Sequence, residues 1–232
     1  MQVGDPIGEG WGIYKRFWRH LLPIALVTYV VISLIVLVLG LIAGVLGALA
    51  GVVVSIAGVF LLQAALVEAV ADVRDGRVDL TLSETINRVL PRLGTVIGAG
   101  LLAGIAIAVG LVLLIAPGLY LLTIWSVVIP AVVLEQKGVS ESFGRSRALV
   151  RGYGWTVFGV IIVTFVIDVL VSIVLSVVLH ALPHEIANYL SNVISNTLIA
   201  PFIAATWTCM YFRLRDLHEP PSAPPSGAAF AE

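Results

Sequence analysis

Residues 21–67 read LLPIALVTYVVISLIVLVLGLIAGVLGALAGVVVSIAGVFLLQAALV, a run of 47 residues without an Asp, Glu, Lys or Arg. An α-helix rises 1.5 Å per residue and needs about 20 apolar residues to cross a hydrocarbon core of roughly 30 Å. One crossing leaves half of this tract over. Two use it up, with the break near Gly44-Val45-Leu46-Gly47, where glycines punctuate the run. The tract is also far longer than the roughly 7 to 15 apolar residues of a secretory signal. Lys15, Arg16 and Arg19 precede it and Ala48-Leu49-Ala50 mimics a cleavage site, but too deep in the run, so Leu21 onward reads as mature protein.

Outward from this tract the same pattern recurs. Thr95 to Leu134 is a second uncharged stretch, of 40 residues, with Ala116-Pro117-Gly118 as its expected reversal. Gly152 to Phe212 supplies two further crossings, divided at Leu182-Pro183-His184-Glu185. The expected fold class is therefore all-α, a polytopic transmembrane bundle of six helices, with spans over about residues 21–42, 48–70, 95–115, 119–135, 155–180 and 186–211. Composition agrees: 59% of the 232 residues are hydrophobic, against 13 Lys+Arg and 14 Asp+Glu, and a water-soluble chain of this size lacks the polar cover such a content would need. A membrane β-barrel would alternate apolar and polar residues in segments of about 10, and nothing here does.

All 13 basic residues fall on one side of this arrangement. Lys15, Arg16 and Arg19 precede span one; Arg74, Arg77, Arg88 and Arg92 lie between spans two and three; Lys137, Arg145, Arg147 and Arg151 lie between spans four and five; Arg213 and Arg215 follow span six. The positive-inside rule then puts both termini in the cytoplasm. The net charge of −1 neither favours nor disfavours a polyanionic partner, and no nucleic-acid partner is expected. The single cysteine, Cys209, excludes an internal disulfide and any cysteine-rich metal motif.

Each basic segment carries an amphipathic register. Ile7, Trp11, Tyr14 and Trp18 share the spacing of Leu82, Ile86, Val89 and Leu93, and Val139, Phe143, Ser146 and Val150 repeat it with one polar lapse. Glu9, Glu84 and Glu141 occupy the same offset, suited to a first helical turn, and Thr81 stands at capping-box distance from Glu84. The chain reads as three repeats of an interfacial helix (about 7–19, 81–93 and 139–151) followed by a transmembrane hairpin, with a Pro/Ala-rich disordered tail at 218–232. The functional reading of the helices is contact with anionic lipid headgroups through Lys15, Arg16, Arg19, Arg145, Arg147 and Arg151; the plainer one is that these charges only set topology.

IGEGWGIYKRFWRHLLPIAL at 7–26, VSESFGRSRALVRGYGWTVFGV at 139–160 and APFIAATWTCMYFRLRDLHE at 200–219 together resemble the bacterial membrane-domain family found attached to glycerophosphodiester phosphodiesterases and also as stand-alone proteins. The resemblance covers about residues 7–219 and implies a bacterial cytoplasmic membrane. In fused members the chemistry belongs to a separate barrel domain of about 250 residues, for which this chain has no room, so the resemblance does not imply hydrolase activity.

Within the bilayer one acid stands out. Asp168 lies 13 residues after Trp155, roughly 20 Å into the membrane, and counting 13 back from Met210 lands at Thr197, which brings Ser195 and Asn196 level with it. Thr164, Asp168, Ser172, Ser176 and His180 recur every four residues, facing Asn188, Asn192, Ser195 and Asn196 if spans five and six are neighbours. This candidate seam is either a site for an ion, a proton or a headgroup or polar glue between two helices. A metal site at His180, His184 and Glu185 is disfavoured, since Pro183 interrupts the helix between the histidines. No cofactor is expected, and no nucleophile and base can be placed at one depth. The overall expectation is a non-enzymatic membrane scaffold or assembly partner, acting on the lipid bilayer, a membrane-protein partner or a second copy. The alternative is a small transporter or lipid-handling protein using the seam around Asp168.

Overall fold

The computed structural model describes residues 1–178 and 184–219, the side chains of 184–192 excepted. These residues form helices α1 (Gly4–Asp72), α2 (Leu82–Val89), α3 (Leu93–Leu113), α4 (Ile115–Ile124), α5 (Val128–Glu135), α6 (Val139–Val150), α7 (Gly154–Val178) and α8 (His184–His218), with short 3-10 turns at Val73–Asp75 and Leu90–Arg92. No strand occurs among them. Five helical segments are long and apolar enough to cross a membrane.

One of the five, α1, is not straight. Its backbone leaves the helical region at Phe17 (φ −114°, ψ 20°) and again at Gly44 (φ 52°, ψ −124°). A positive φ of this kind is steric freedom that glycine alone supplies cheaply. Beyond Gly44 the chain runs back along itself: a Cβ on Gly47 would collide with the Leu39 carbonyl oxygen, one on Gly51 would lie 3.1 Å from Val36 Cγ1, and one on Gly58 would collide with Ile32. Glycine at these places lets the two arms pack closely, the usual device where lipid offers no hydrophobic drive between helices.

The helix starts follow local chemistry. Thr81 caps α2 with a full capping box: Glu84 N–H donates to Thr81 Oγ1 (3.3 Å) while Thr81 N–H donates to Glu84 Oε2 (2.8 Å). Glu141 reaches back in the same way to Gly138 N–H at the start of α6 (3.3 Å). Glu9 does not. Helix α1 begins at Gly4, so its first-turn acid is Asp5, and Glu9 sits further along the helix, turned toward α8.

One reversal and one apolar stretch differ from the sequence expectation. The joint between α3 and α4 is the extended residue Leu114 (φ −155°, ψ 128°), and Pro117 lies in the first turn of α4, where a missing N–H costs nothing. The apolar stretch assigned to the fourth span is also broken, since Trp125–Val127 separates α4 from α5. Pro130 explains the break: it has no N–H for the Ser126 carbonyl, and its ring crowds that carbonyl. Of the small-residue spacings in α3, Gly100 packs on Phe60 and Gly98 approaches Val139, while Gly94 and Gly104 face open space.

The core sits at one end. Leu21, Ile24, Leu62, Leu66 and Val70 pack with Ala205; Val67, Val96, Val128 and Val132 form a second group; Leu149, Val157, Met210, Tyr211 and Leu214 form a third. These positions adjoin the basic segments. Farther along the helices the side chains are apolar but exposed, as at Leu41, Ile42, Val112 and Val177.

Candidate functional site

Charged residues from distant parts of the sequence meet at the core end. Arg213 of α8 pairs with Glu9 of α1 (Nε–Oε2 2.7 Å) and lies 3.7 Å from Asp5. Arg74 bridges Glu9 (4.0 Å) and Asp216 (3.4 Å) and stacks over Phe212 at 4.1 Å, with Arg215 4.9 Å from the same ring. Arg88 pairs with Glu68, and Arg92 donates to the Val133 carbonyl (2.9 Å). Glu135, at the end of α5, accepts from Arg145 Nε on both oxygens (2.7 and 2.8 Å) and from Tyr211 Oη (2.6 Å). The other two nitrogens of the Arg145 guanidinium hold Glu219 in a fork (2.7 and 3.0 Å). The fork holds the exposed Glu219 carboxyl below its ordinary range, and the bond to Glu219 raises Arg145. We refer to this network as the clasp.

Helix α6 does more than lie on the surface. Ser142, Ser146, Leu149 and Val150 are buried, and Ser146 Oγ donates to the Ile124 carbonyl (2.8 Å), one of the groups freed where α4 ends. The polar lapse in the amphipathic register is thus a structural bond. Beside it run two adjoining hollows, each of about 650 Å³, that share Tyr120, Ile124, Gly152 and Gly154. Arg147 and Arg151 line the first; Leu119, Thr123, Trp155 and Phe158 line the second.

Between α7 and α8 one pair of polar side chains meets. Ser172 Oγ and Ser195 Oγ are 3.1 Å apart, which makes the two helices neighbours in a register two residues from the one counted in the sequence. Thr164 is buried and donates to its own helix, at Val160 O and Ile161 O. Asp168 is half-buried, and among the described residues no hydrogen bond or ion pair reaches it. Asn196 is exposed but has an interaction partner. The side chains of Asn188 and Asn192, the His180, His184 and Glu185 group, the turn at 182–183 and the tail beyond 219 lie outside the described residues. Among the described residues no cluster of three or more metal-ligating side chains occurs.

The six basic residues singled out in the sequence separate in the structure. Arg145 is bound on every nitrogen, whereas Lys15, Arg16, Arg19, Arg147 and Arg151 are exposed and have no carboxylate within 4.0 Å among the described residues. Lys15, Arg16 and Arg19 lie instead over Trp11, Phe17 and Trp18 at 6.0, 5.3 and 5.5 Å. Sequence reasoning missed Glu135, Tyr211 and the α4–α5 break. Pro130 was the available signal for the last. Comparison of the chain with known protein families, curated proteins and solved structures finds no match.

Proposed function

We propose that the chain is a non-enzymatic scaffold of the bacterial cytoplasmic membrane, crossing six times as three helix-plus-hairpin repeats with both termini in the cytoplasm. The clasp carries this reading. Glu9, Arg74, Arg88, Glu135, Arg145, Arg213 and Glu219 draw on every basic segment, and their pairing at one end of the molecule is what one-sided segments require. The fold-back at Gly44 supports two crossings within α1, which makes six from five apolar segments. A clasped base with exposed apolar helices suits a body that holds lipid or a membrane-protein partner, including a second copy, through its lateral faces. The test is purification in native lipid with mass spectrometry of what co-elutes. A stoichiometric protein partner supports the scaffold, and monodisperse single copies with no protein partner argue against it.

A second reading, transport through the α7–α8 seam, is favoured by one observation. A carboxylate at membrane depth is costly, and Asp168 has no partner among the described residues to offset that cost.

A further inference from the structure

We propose that the crease between α4, α6 and α7 binds one anionic phospholipid, its phosphate held by Arg147 and Arg151 and an acyl chain lying in the groove past Thr123 and Phe158. The inference rests on the reading that this end of the bundle lies at a membrane surface. Arg147 lies in the last turn of α6 and Arg151 is the residue that caps it, and both line the same hollow. Their neighbours in the same segment are occupied, Arg145 by Glu135 and Glu219 and Lys137 by Glu135 at 3.7 Å. Among the described residues no carboxylate lines either hollow.

Two further features converge on the same mouth. Helix α7 starts there at Gly154, so the N–H groups of its first turn have no helical acceptor and its dipole favours an anion. Gly152, at φ 87°, and Gly154 carry no side chain to cover them. Trp155 is 87% exposed and Tyr120 55%, the amphipathic aromatics typical of the membrane–water boundary. The Ser146 bond to Ile124 O ties α6 to the end of α4 and so holds the two guanidiniums beside the opening. A free phosphate ester would fill only the charged hollow; the apolar one continuing from it calls for a hydrocarbon chain on the same molecule.

The test uses the full chain purified in a mild non-ionic detergent, with phosphatidylglycerol or phosphatidylcholine added and retention read by native mass spectrometry. One phosphatidylglycerol should stay bound to the wild type in preference to phosphatidylcholine. Each guanidinium near an anionic surface accounts for about 5-fold in affinity, so the Arg147→Gln/Arg151→Gln double variant should weaken retention by about 30-fold. Arg77→Gln, at an exposed cation elsewhere with no ion pair among the described residues, should leave it within about 2-fold. Gly154→Leu, whose Cβ meets no atom within 4 Å, should block the crease with every charge intact. Unchanged retention in both the double variant and Gly154→Leu overturns the site, as does equal retention of phosphatidylcholine. Competition by inorganic phosphate as effective as that by the lipid would also overturn it, since the apolar groove would then take no part. Detergent binding is blind to which leaflet the crease faces, so a failed site and a failed topology are separate results.

Discussion

Removing Glu135 should loosen the clasped end of the bundle more than any other single change to the clasp. Its carboxylate takes Arg145 Nε at 2.7 and 2.8 Å and Tyr211 Oη at 2.6 Å, and its side chain is only 16% exposed. Breaking a buried pair by deleting one partner costs about 3 to 5 kcal/mol, mostly through the charge left behind. Arg145 keeps its fork to Glu219, so that charge is not orphaned and Glu135→Ala belongs near the lower limit, about 3 kcal/mol. Tyr211, fully buried, loses its acceptor in the same variant. Tyr211→Phe alone should cost about 1.5 kcal/mol, the lower range for a hydrogen bond to a charged group. Because the two changes remove one shared bond, the double variant should cost about 3 kcal/mol rather than the sum. Unfolding by a denaturing detergent titrated into micelles, followed by fluorescence of the five tryptophans, measures all three. A cost below about 0.5 kcal/mol for Glu135→Ala, within the range of ordinary surface changes, or strict additivity with Tyr211→Phe, would refute the reasoning.

Other consequences follow from the same geometry. Ser146→Ala leaves the Ile124 carbonyl without its donor and should destabilise the protein by about 1 to 2 kcal/mol in the same titration. Asp168→Leu should leave the α7–α8 contact intact, since Ser172 and Ser195 make the cross-helix bond. A growth or flux defect in both Asp168→Leu and Asp168→Asn with normal accumulation would then report the carboxylate itself, and wild-type behaviour of both would remove the argument for transport. The Arg145–Glu219 fork depresses the Glu219 carboxyl, so its contribution is complete above the ordinary carboxylate range and is lost as pH falls through the lowered value. The melting temperature of wild type should therefore exceed that of Glu219→Gln by a constant margin above about pH 5, and the margin should close in stronger acid; a margin that grows as pH falls contradicts the fork. Glu84, also depressed by its cap, is present in both proteins and cancels.

What the sequence made legible, and what it hid, divides by physical range. The long apolar helices could be read because hydropathy sums over about 20 residues, and no single residue changes the sum. The Thr81–Glu84 cap was legible because it closes within one turn. Backbone events inside an apolar run were not: hydropathy is blind to a break, and Pro130 lies four residues beyond the carbonyl it frees. Pro117 misled in the opposite sense, since proline suits both a reversal and a first helical turn. Among the cations, Arg145 and Arg147 are alike in sequence. Only the fold brings Glu135 and Glu219 to the first and leaves the second facing the crease. The seam was half legible: helical spacing put Ser172 and Ser195 on facing surfaces, but whether Asp168 would find a bonding partner depended on a register that spacing alone does not set.

The proposed topology makes the clasp the cytoplasmic end of a six-span chain. Paired reporter fusions, a phosphatase active only outside the cytoplasmic membrane and a fluorescent protein that folds only inside, read this directly. Fusions after Arg77, Lys137 and Arg215 should report cytoplasm, while those after Gly44 and Leu114 should report the exterior. An external signal after Lys137, or the same side reported after Gly44 and Arg77, would contradict it.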